Sequence, residues 1–256
     1  MPWQPVDTDP LDIDTGVPAG HARAIAAALV RRAVPLLVNR FGRPEPLASA
    51  ALFWLDGRVV LMTCRHIFDD GVAIGDLGVP RVANPGVLWL RGAASRVIAH
   101  PERDLALIEL IPGRTREELL RHWPAVPLAQ DEWSRDEHPR FYVLAGWPYA
   151  QMRRIDSTVY ARPLVLFAPP APSAGPTESS LRICYARVAR RSDGVHVHAP
   201  ELDGVSGATL WAVLWGSDLV CTLKPAAVQC AFKHGAYARA EPLREAEALF
   251  DRVRRR

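Results

Sequence analysis

From Leu47 onward the chain is a succession of short apolar runs separated by turn residues. Leu47 to Leu55 is followed by Asp56-Gly57 and then by Arg58 to Thr63. An Asp-Gly pair between two such runs predicts a hairpin, because both central turn positions must tolerate a positive φ. Further runs follow at Val87 to Leu90, Ser95 to Ala99, Leu105 to Leu110, Phe141 to Gly146, Thr158 to Phe167, Ile183 to Ala189, His196 to His198, Leu210 to Leu214, Leu219 to Leu223 and Val228 to Phe232. Each has the length of a strand. Many short strands with frequent turns predict an all-β barrel or sandwich rather than βαβ units.

The ends and the middle of the chain break this texture. Residues 1–19 are rich in Asp, Pro and Gly without periodicity, which predicts an irregular arm. His21 to about Arg32 is Ala-rich and closed by Pro35, which predicts a helix. Thr115 to Trp123 reads as a short helical or irregular connection, placed to link two barrels, and Ala168 to Thr177, with four prolines, reads as a loop. Leu243, Ala246, Leu249, Phe250 and Val253 recur at helical spacing, so the segment from Pro242 to Arg255 should end the chain as a helix.

Composition narrows the class. At 256 residues and 49% hydrophobic, the chain can bury a sizeable core as one large domain or two small ones. A net charge of +3 is too weak to argue for nucleic acid, and the basic run Arg252 to Arg256 reads as a solvated helix end. The start carries Asp7, Asp9, Asp12 and Asp14 where an export signal needs a basic then apolar run. The most apolar stretch, Ala24 to Val38, is interrupted by Arg31, Arg32 and Pro35, so no membrane span is expected. Four cysteines, Cys64, Cys184, Cys221 and Cys230, suggest reduced thiols in a cytoplasm, with a bridge from Cys184 to Cys221 or Cys230 left open.

Three short blocks carry candidate chemistry: Thr63-Cys64-Arg65-His66, Arg103-Asp104-Leu105-Ala106-Leu107, and Gly204-Val205-Ser206-Gly207-Ala208. A serine hydroxyl is a weak nucleophile that needs a base within hydrogen-bond reach and a third group to orient that base. Ser206, His66 and Asp104 can fill those roles, in the chain order His, Asp, Ser.

These blocks resemble those of the chymotrypsin or trypsin-like serine peptidase family, and most closely its bacterial intracellular members. Leu61 to His66 resembles the family's Thr-Ala-Ala-His block, Asp104 to Leu107 its Asp-Ile-Ala-Leu block, and Gly204 to Ala208 its Gly-Asp-Ser-Gly-Gly block. The resemblance implies two six-stranded antiparallel β-barrels. The first, residues 46–125, would carry His66 and Asp104; the second, residues 126–240, would carry Ser206; the arm and helix of residues 1–45 would precede them and the helix of residues 241–256 would follow. It also implies a Ser-His-Asp triad, an oxyanion hole from the backbone N–H groups of Gly204 and Ser206, a protein or peptide substrate, and no cofactor.

Departures from the family pattern are equally informative. Val205 stands where secreted zymogens carry the Asp that pairs with a newly cut N-terminus, Ala208 replaces a Gly, and Cys64 and Arg65 replace two alanines. Pro200 occupies the place of the specificity-pocket base, and Gln229, Ala231 and Phe232 fall on a wall of that pocket. Without an export or zymogen signal, activity is expected to be conditional, with a regulatory protein partner, by analogy within a stress or phage-defence system. The competing expectation is a degenerate copy of the fold that serves as a protein-interaction module. His196-Val197-His198 with Cys184 could hold Zn²⁺, but two solvated histidines on a surface strand explain the pattern more simply, and no metal site is expected.

Overall fold

The computed structural model describes residues 2–82, 85–128, 139–156, 158–172, 179–215 and 221–255. Two curled sheets dominate it. The first runs, in spatial order, through Val87–Trp89, Leu77–Pro80, Val34–Arg40, Arg43–Leu55, Arg58–Thr63, Ala106–Leu110 and Ala94–Ala99. The second runs through Leu181–Cys184, Tyr237–Pro242, Cys221–Lys233, Thr209–Trp215, Tyr142–Gly146, Leu164–Ala168, Leu11–Asp12, Val188–Arg191 and His196–His198. Nearly all pairing is antiparallel, as expected for an all-β double barrel.

The Asp56-Gly57 hairpin forms as the sequence predicts. Leu55 pairs with Arg58, and the two turn residues take φ of 48° and 77°. Near the hairpin, from Ala48 to Leu55 and from Val59 to Thr63, the strands that it joins are almost wholly buried, because their apolar side chains face core on both sides.

Residues 3–5 and 11–12 are strands, which corrects the expectation of an irregular arm. Trp3–Pro5 pairs in parallel with Thr158–Ala161, and Leu11–Asp12 lies between Leu164–Ala168 and Val188–Arg191. Burial is the reason: Trp3, Leu11 and Ile13 pack into the core. Asp12, itself buried, accepts hydrogen bonds from Thr15 N–H at 3.0 Å and Arg190 at 2.9 Å. Leu11–Asp12 and the helix that follows, α1 (Ala19–Val30), therefore lean on the second sheet, whereas Trp3–Pro5 belongs to a separate three-stranded sheet with Thr158–Ala161 and Met152–Ile155.

Other boundaries shift for similar reasons. Pro35 sits inside strand Val34–Arg40, opposite Ser49, instead of merely closing a helix. Thr158 to Phe167 divides at Arg162-Pro163 into two strands in different sheets. Leu223 and the run Val228 to Phe232 belong to one strand that passes through Pro225, whereas Leu219 and Val220 lie outside the described residues. The strand Leu77–Pro80 was not anticipated. Residues 173–177 of the Pro-rich loop also lie outside the described residues. The middle segment is helix α2 (Arg114–His122), docked by Leu119 and by Trp123, whose indole N–H donates to Pro80 O at 2.9 Å.

One hydrophobic cluster runs through both halves, from Leu36, Leu52 and Leu61 to Val143, Trp147, Phe167 and Trp211. A 3-10 turn, Leu243–Ala246, and helix α3 (Glu247–Arg254) close the chain. All five apolar positions predicted for that helix are buried against Phe53, Val60 and Leu107 of the first sheet. Among the described residues no helix is long and apolar enough to cross a membrane, and the four cysteines are free thiols.

Candidate active site

Strand register explains how His66 meets Asp104. Thr63 and Ala106 are direct partners at the ends of antiparallel strands, so the residues just beyond them leave the sheet at the same edge. There a 3-10 turn, Arg65–Phe68, begins with the imidazole of His66 next to the carboxylate. Nδ1 of His66 lies 2.7 Å from Asp104 Oδ2, and the backbone N–H of His66 donates to Oδ1 at 2.9 Å. Two contacts to one carboxylate fix both the ring plane and, by placing the proton on Nδ1, the tautomer that leaves Nε2 as an acceptor.

Each partner shifts the other's protonation. The hydrogen bond donated to Asp104 raises the His66 pKa above its ordinary value, against partial burial, with Asp69 and Asp70 adding to the rise. Burial alone would raise Asp104, but hydrogen bonds from the His66 ring and from the backbone N–H groups of His66 and Arg65 outweigh it and hold the carboxyl below its usual range.

Ser206 lies in a tight turn whose shape depends on two glycines. Gly204 and Gly207 take φ of 88° and 89°. A Cβ on Gly207 would sit 2.1 Å from Ser49 O and 2.2 Å from Thr63 Oγ1; one on Gly204 would sit 2.4 Å from the Tyr149 ring. Both backbone conformation and space demand glycine there. Val205 and Ala208 are fully buried in the second sheet's core.

The turn is fastened to the first half by Ser49. Its N–H donates to Ser206 O at 2.8 Å, its Oγ donates to Gly204 O at 2.8 Å and accepts from Trp147 N–H at 3.0 Å, and its O accepts from Thr63 Oγ1 at 2.9 Å. The same turn is tied to the second half by Gln229, whose O accepts from Gly207 N–H at 2.7 Å and whose N–H donates to Ala208 O at 2.8 Å. Between the buried residues Val205 and Gly207, Ser206 is partly exposed. Among the described residues, the N–H groups of Gly204 and Ser206 donate to no backbone acceptor.

The site thus assembles His66 with Asp104 and brings the Ser206 turn against Thr63, three residues before His66. No hydrogen bond joins Ser206 to His66 among the described residues. Instead Nε2 of His66 has the sulfur of Cys64 at 3.5 Å. Cys64 is an unsuitable nucleophile: it is fully buried, and burial followed by the charge of Asp104 pushes its thiol far above the ordinary range.

The remaining predicted residues separate. Gln229 is buried and braces the Ser206 turn, with its side-chain Nε2 donating to Ala231 O at 3.0 Å and its Oε1 unpartnered. Ala231 and Phe232 follow on the same strand, half-buried, with Phe232 edge-on to Tyr185. Pro200 lines a cavity of about 300 Å³ with Asp7, Asp9, Arg162, Arg191 and His198, a set that does not include Ser206. His196 and His198 are exposed on their strand. The group of candidate metal ligands among the described residues is Cys64, His66 and Asp104, with ligand atoms within 4.8 Å of one another.

Sequence reasoning missed Ser49, Trp147 and Tyr149. Ser49 sits inside an unremarkable strand, and no local pattern marks it. Tyr149 closes over Gly204, donates its N–H to Asp203 O at 2.8 Å and directs its hydroxyl to Leu47 O. The Gly146-Trp147-Pro148 sequence was the one available signal, since a glycine beside a buried aromatic marks close backbone approach.

No family model and no curated protein matches the chain. Among solved structures it is similar to a thermostable serine protease from an extremophilic microorganism, with 13% identity, coverage of 88% of this chain and 97% of that one, and a TM-score of 0.55. Likeness at that identity establishes the fold: a chymotrypsin-like double barrel with a C-terminal helix.

Proposed function

We propose that the protein is a serine endopeptidase in which Ser206 is the nucleophile, His66 the general base and Asp104 the group that orients His66. The observation that carries this reading is the double contact of Asp104 to the His66 ring and backbone, at 2.7 and 2.9 Å, on a fold shared with a serine protease. A partly buried carboxylate held below its usual range beside a histidine held above its own is an arrangement suited to stabilising the imidazolium that forms during acyl transfer.

In the proposed reaction Ser206 Oγ attacks a peptide carbonyl carbon and passes its proton to His66 Nε2. The N–H groups of Gly204 and Ser206 receive the negative charge on the carbonyl oxygen. His66 then protonates the leaving amine as the C–N bond breaks, and a water activated by the same nitrogen hydrolyses the acyl-enzyme. Serine–histidine hydrogen bonds are commonly long in unliganded sites and tighten with substrate, which is consistent with the arrangement of Ser206 here. The reading extends to conditional activity in a bacterial cytoplasm, on protein or peptide substrates, under a regulatory partner.

A fluorophosphonate probe tests the reading on the purified chain. Covalent labelling that is lost in Ser206→Ala supports the peptidase. Absence of labelling, with the fold intact, favours the second reading, a non-catalytic interaction module; that reading draws on the missing Ser206–His66 hydrogen bond.

A further inference from the structure

Nε2 of His66, the atom the proposed reaction needs as its proton acceptor, faces a cysteine sulfur inside the same site. We propose that Cys64 and His66 form a two-residue binding site for a thiophilic divalent cation of the Zn²⁺ class, and that occupancy of this site switches the peptidase off.

Geometry carries the inference. Zinc takes thiolate sulfur at about 2.3 Å and imidazole nitrogen at about 2.0–2.1 Å, so a tetrahedral angle at the metal separates the two donor atoms by about 3.6 Å. Cys64 Sγ and His66 Nε2 are 3.5 Å apart without any rearrangement. The donor set of one sulfur and one imidazole favours Zn²⁺ over Mg²⁺ or Ca²⁺, which prefer oxygen.

The surroundings are already those of a metal-bound histidine. A ligating imidazole usually donates its second N–H to a carboxylate, which fixes the ring and raises its basicity. Asp104 does this at 2.7 Å, so its oxygens act behind the ring while Nε2 points away from them. Asp69 and Asp70 add negative charge near the ring, which favours a cation there. The His66 side chain is 43% exposed whereas Cys64 is fully buried, so the proposed metal enters from the Nε2 side by displacing what covers the sulfur, and water completes its coordination on the solvent side of the ring.

Binding is a proton-for-metal exchange. The Cys64 thiol releases its proton to solvent as the sulfur–metal bond forms, and the Nε2 lone pair is donated to the metal. That lone pair can then no longer accept the Ser206 proton. Metal binding itself needs only the two donors; the inhibitory consequence rests on the peptidase reading above.

Cobalt titration of the purified chain, followed by its sulfur-to-cobalt charge-transfer absorption, reads the site without any substrate. One equivalent of Co²⁺ per chain is expected to develop the band, Zn²⁺ to abolish it by competition, and Cys64→Ala or His66→Gln to lack it while retaining a cooperative thermal transition. Asp104→Asn should weaken binding roughly 10- to 100-fold. An absent band, or one unchanged in Cys64→Ala, overturns the metal site. Zn²⁺ should also suppress fluorophosphonate labelling of the wild type, with recovery on chelation, while Cys64→Ala labels at its own metal-free rate. Labelling indifferent to Zn²⁺ in the presence of the band overturns the switch. A chain that never labels but shows the band removes the peptidase reading and leaves the metal site standing.

Discussion

The two sides of the candidate site are held in contrasting ways. His66 and Asp104 depend on one sheet: the Thr63–Ala106 pair sets their strand ends side by side, and hydrogen bonds between the two residues do the rest. The Ser206 side is not self-contained. Its turn needs two left-handed glycines, a strand of its own half through Gln229, and Ser49 from the opposite half. The His66–Asp104 pair therefore forms whenever the first sheet forms, whereas the Ser206 turn reports the docking of the two halves. Under the proposed peptidase reading, the control point for conditional activity lies on the second side.

The sharpest break of this contrast removes each reacting group in turn. Ser206→Ala should abolish peptide hydrolysis and probe labelling, with a loss of roughly 10⁶-fold in kcat where other triads have been treated alike. Asp104→Asn should lower the rate roughly 10⁴-fold by favouring the wrong tautomer of His66, without displacing the Ser206 turn. A melting temperature unchanged in the first and nearly so in the second is the expected companion result. Equal, small losses in both would mean that the two residues do not act as a unit.

A pair of glycine substitutions compares strain with collision. Gly207 and Gly57 have similar φ, 89° and 77°, but a Cβ on Gly57 meets nothing within 4 Å while one on Gly207 strikes Ser49 O at 2.1 Å. Gly57→Ala should cost about 1–2 kcal/mol, the left-handed penalty alone. Gly207→Ala should cost more than about 3 kcal/mol and stop probe labelling, because the backbone contact that seats the Ser206 turn cannot survive it. Chemical denaturation of both variants measures the difference; similar midpoints would show that the contact at Ser49 is soft.

The contrast also explains what could be read from the sequence. His66 and Asp104 announce themselves because each follows or precedes a clear strand, but the Thr63–Ala106 pairing that brings them together is not set by the Asp56-Gly57 hairpin, which joins a different pair of strands. The glycines around Ser206 were equally legible, since positive φ is a local property. Ser49 was not: a serine in a strand has no local mark that its hydroxyl will bond a residue 155 positions away in sequence. The arm was misjudged for a related reason. Its Asp and Pro residues hid the few apolar side chains, Trp3, Leu11 and Ile13, whose burial turns it into strands. Cys64 was noted only as a departure from a pattern, because nothing in a spacing of two residues says that a sulfur will face Nε2.

Ser49→Ala probes the bridge between the halves more gently. It removes the acceptor of Trp147 N–H and the donor to Gly204 O, both buried. Leaving such groups unsatisfied costs roughly 1–3 kcal/mol. Labelling of Ser206 should slow while the His66–Asp104 pair, followed by the downfield Nδ1 proton in NMR, persists unchanged. Loss of that proton in Ser49→Ala would contradict the independence of the two sides.

The smallest expected effect is on pH dependence, and its sign follows from the two shifts. Proton acceptance requires neutral His66, whose pKa is raised above its ordinary value of about 6.5 by the hydrogen bond to Asp104. Labelling should therefore rise with pH along a limb centred above about 6.5. Folding stability runs the other way for this group: the contribution of His66 is complete below its unfolded pKa and disappears as pH rises through the raised folded value. Asp104, with its pKa lowered, contributes fully above its unfolded value of about 3.9 and loses that contribution as pH falls through the folded value. Both contributions are thus complete only between about pH 4 and 6.5, on the acid side of the labelling limb. In Asp104→Asn the limb should move toward lower pH, because the hydrogen bond to the carboxylate is the largest cause of the His66 shift. A limb that stays in place would show that His66 is not the group whose deprotonation is being read.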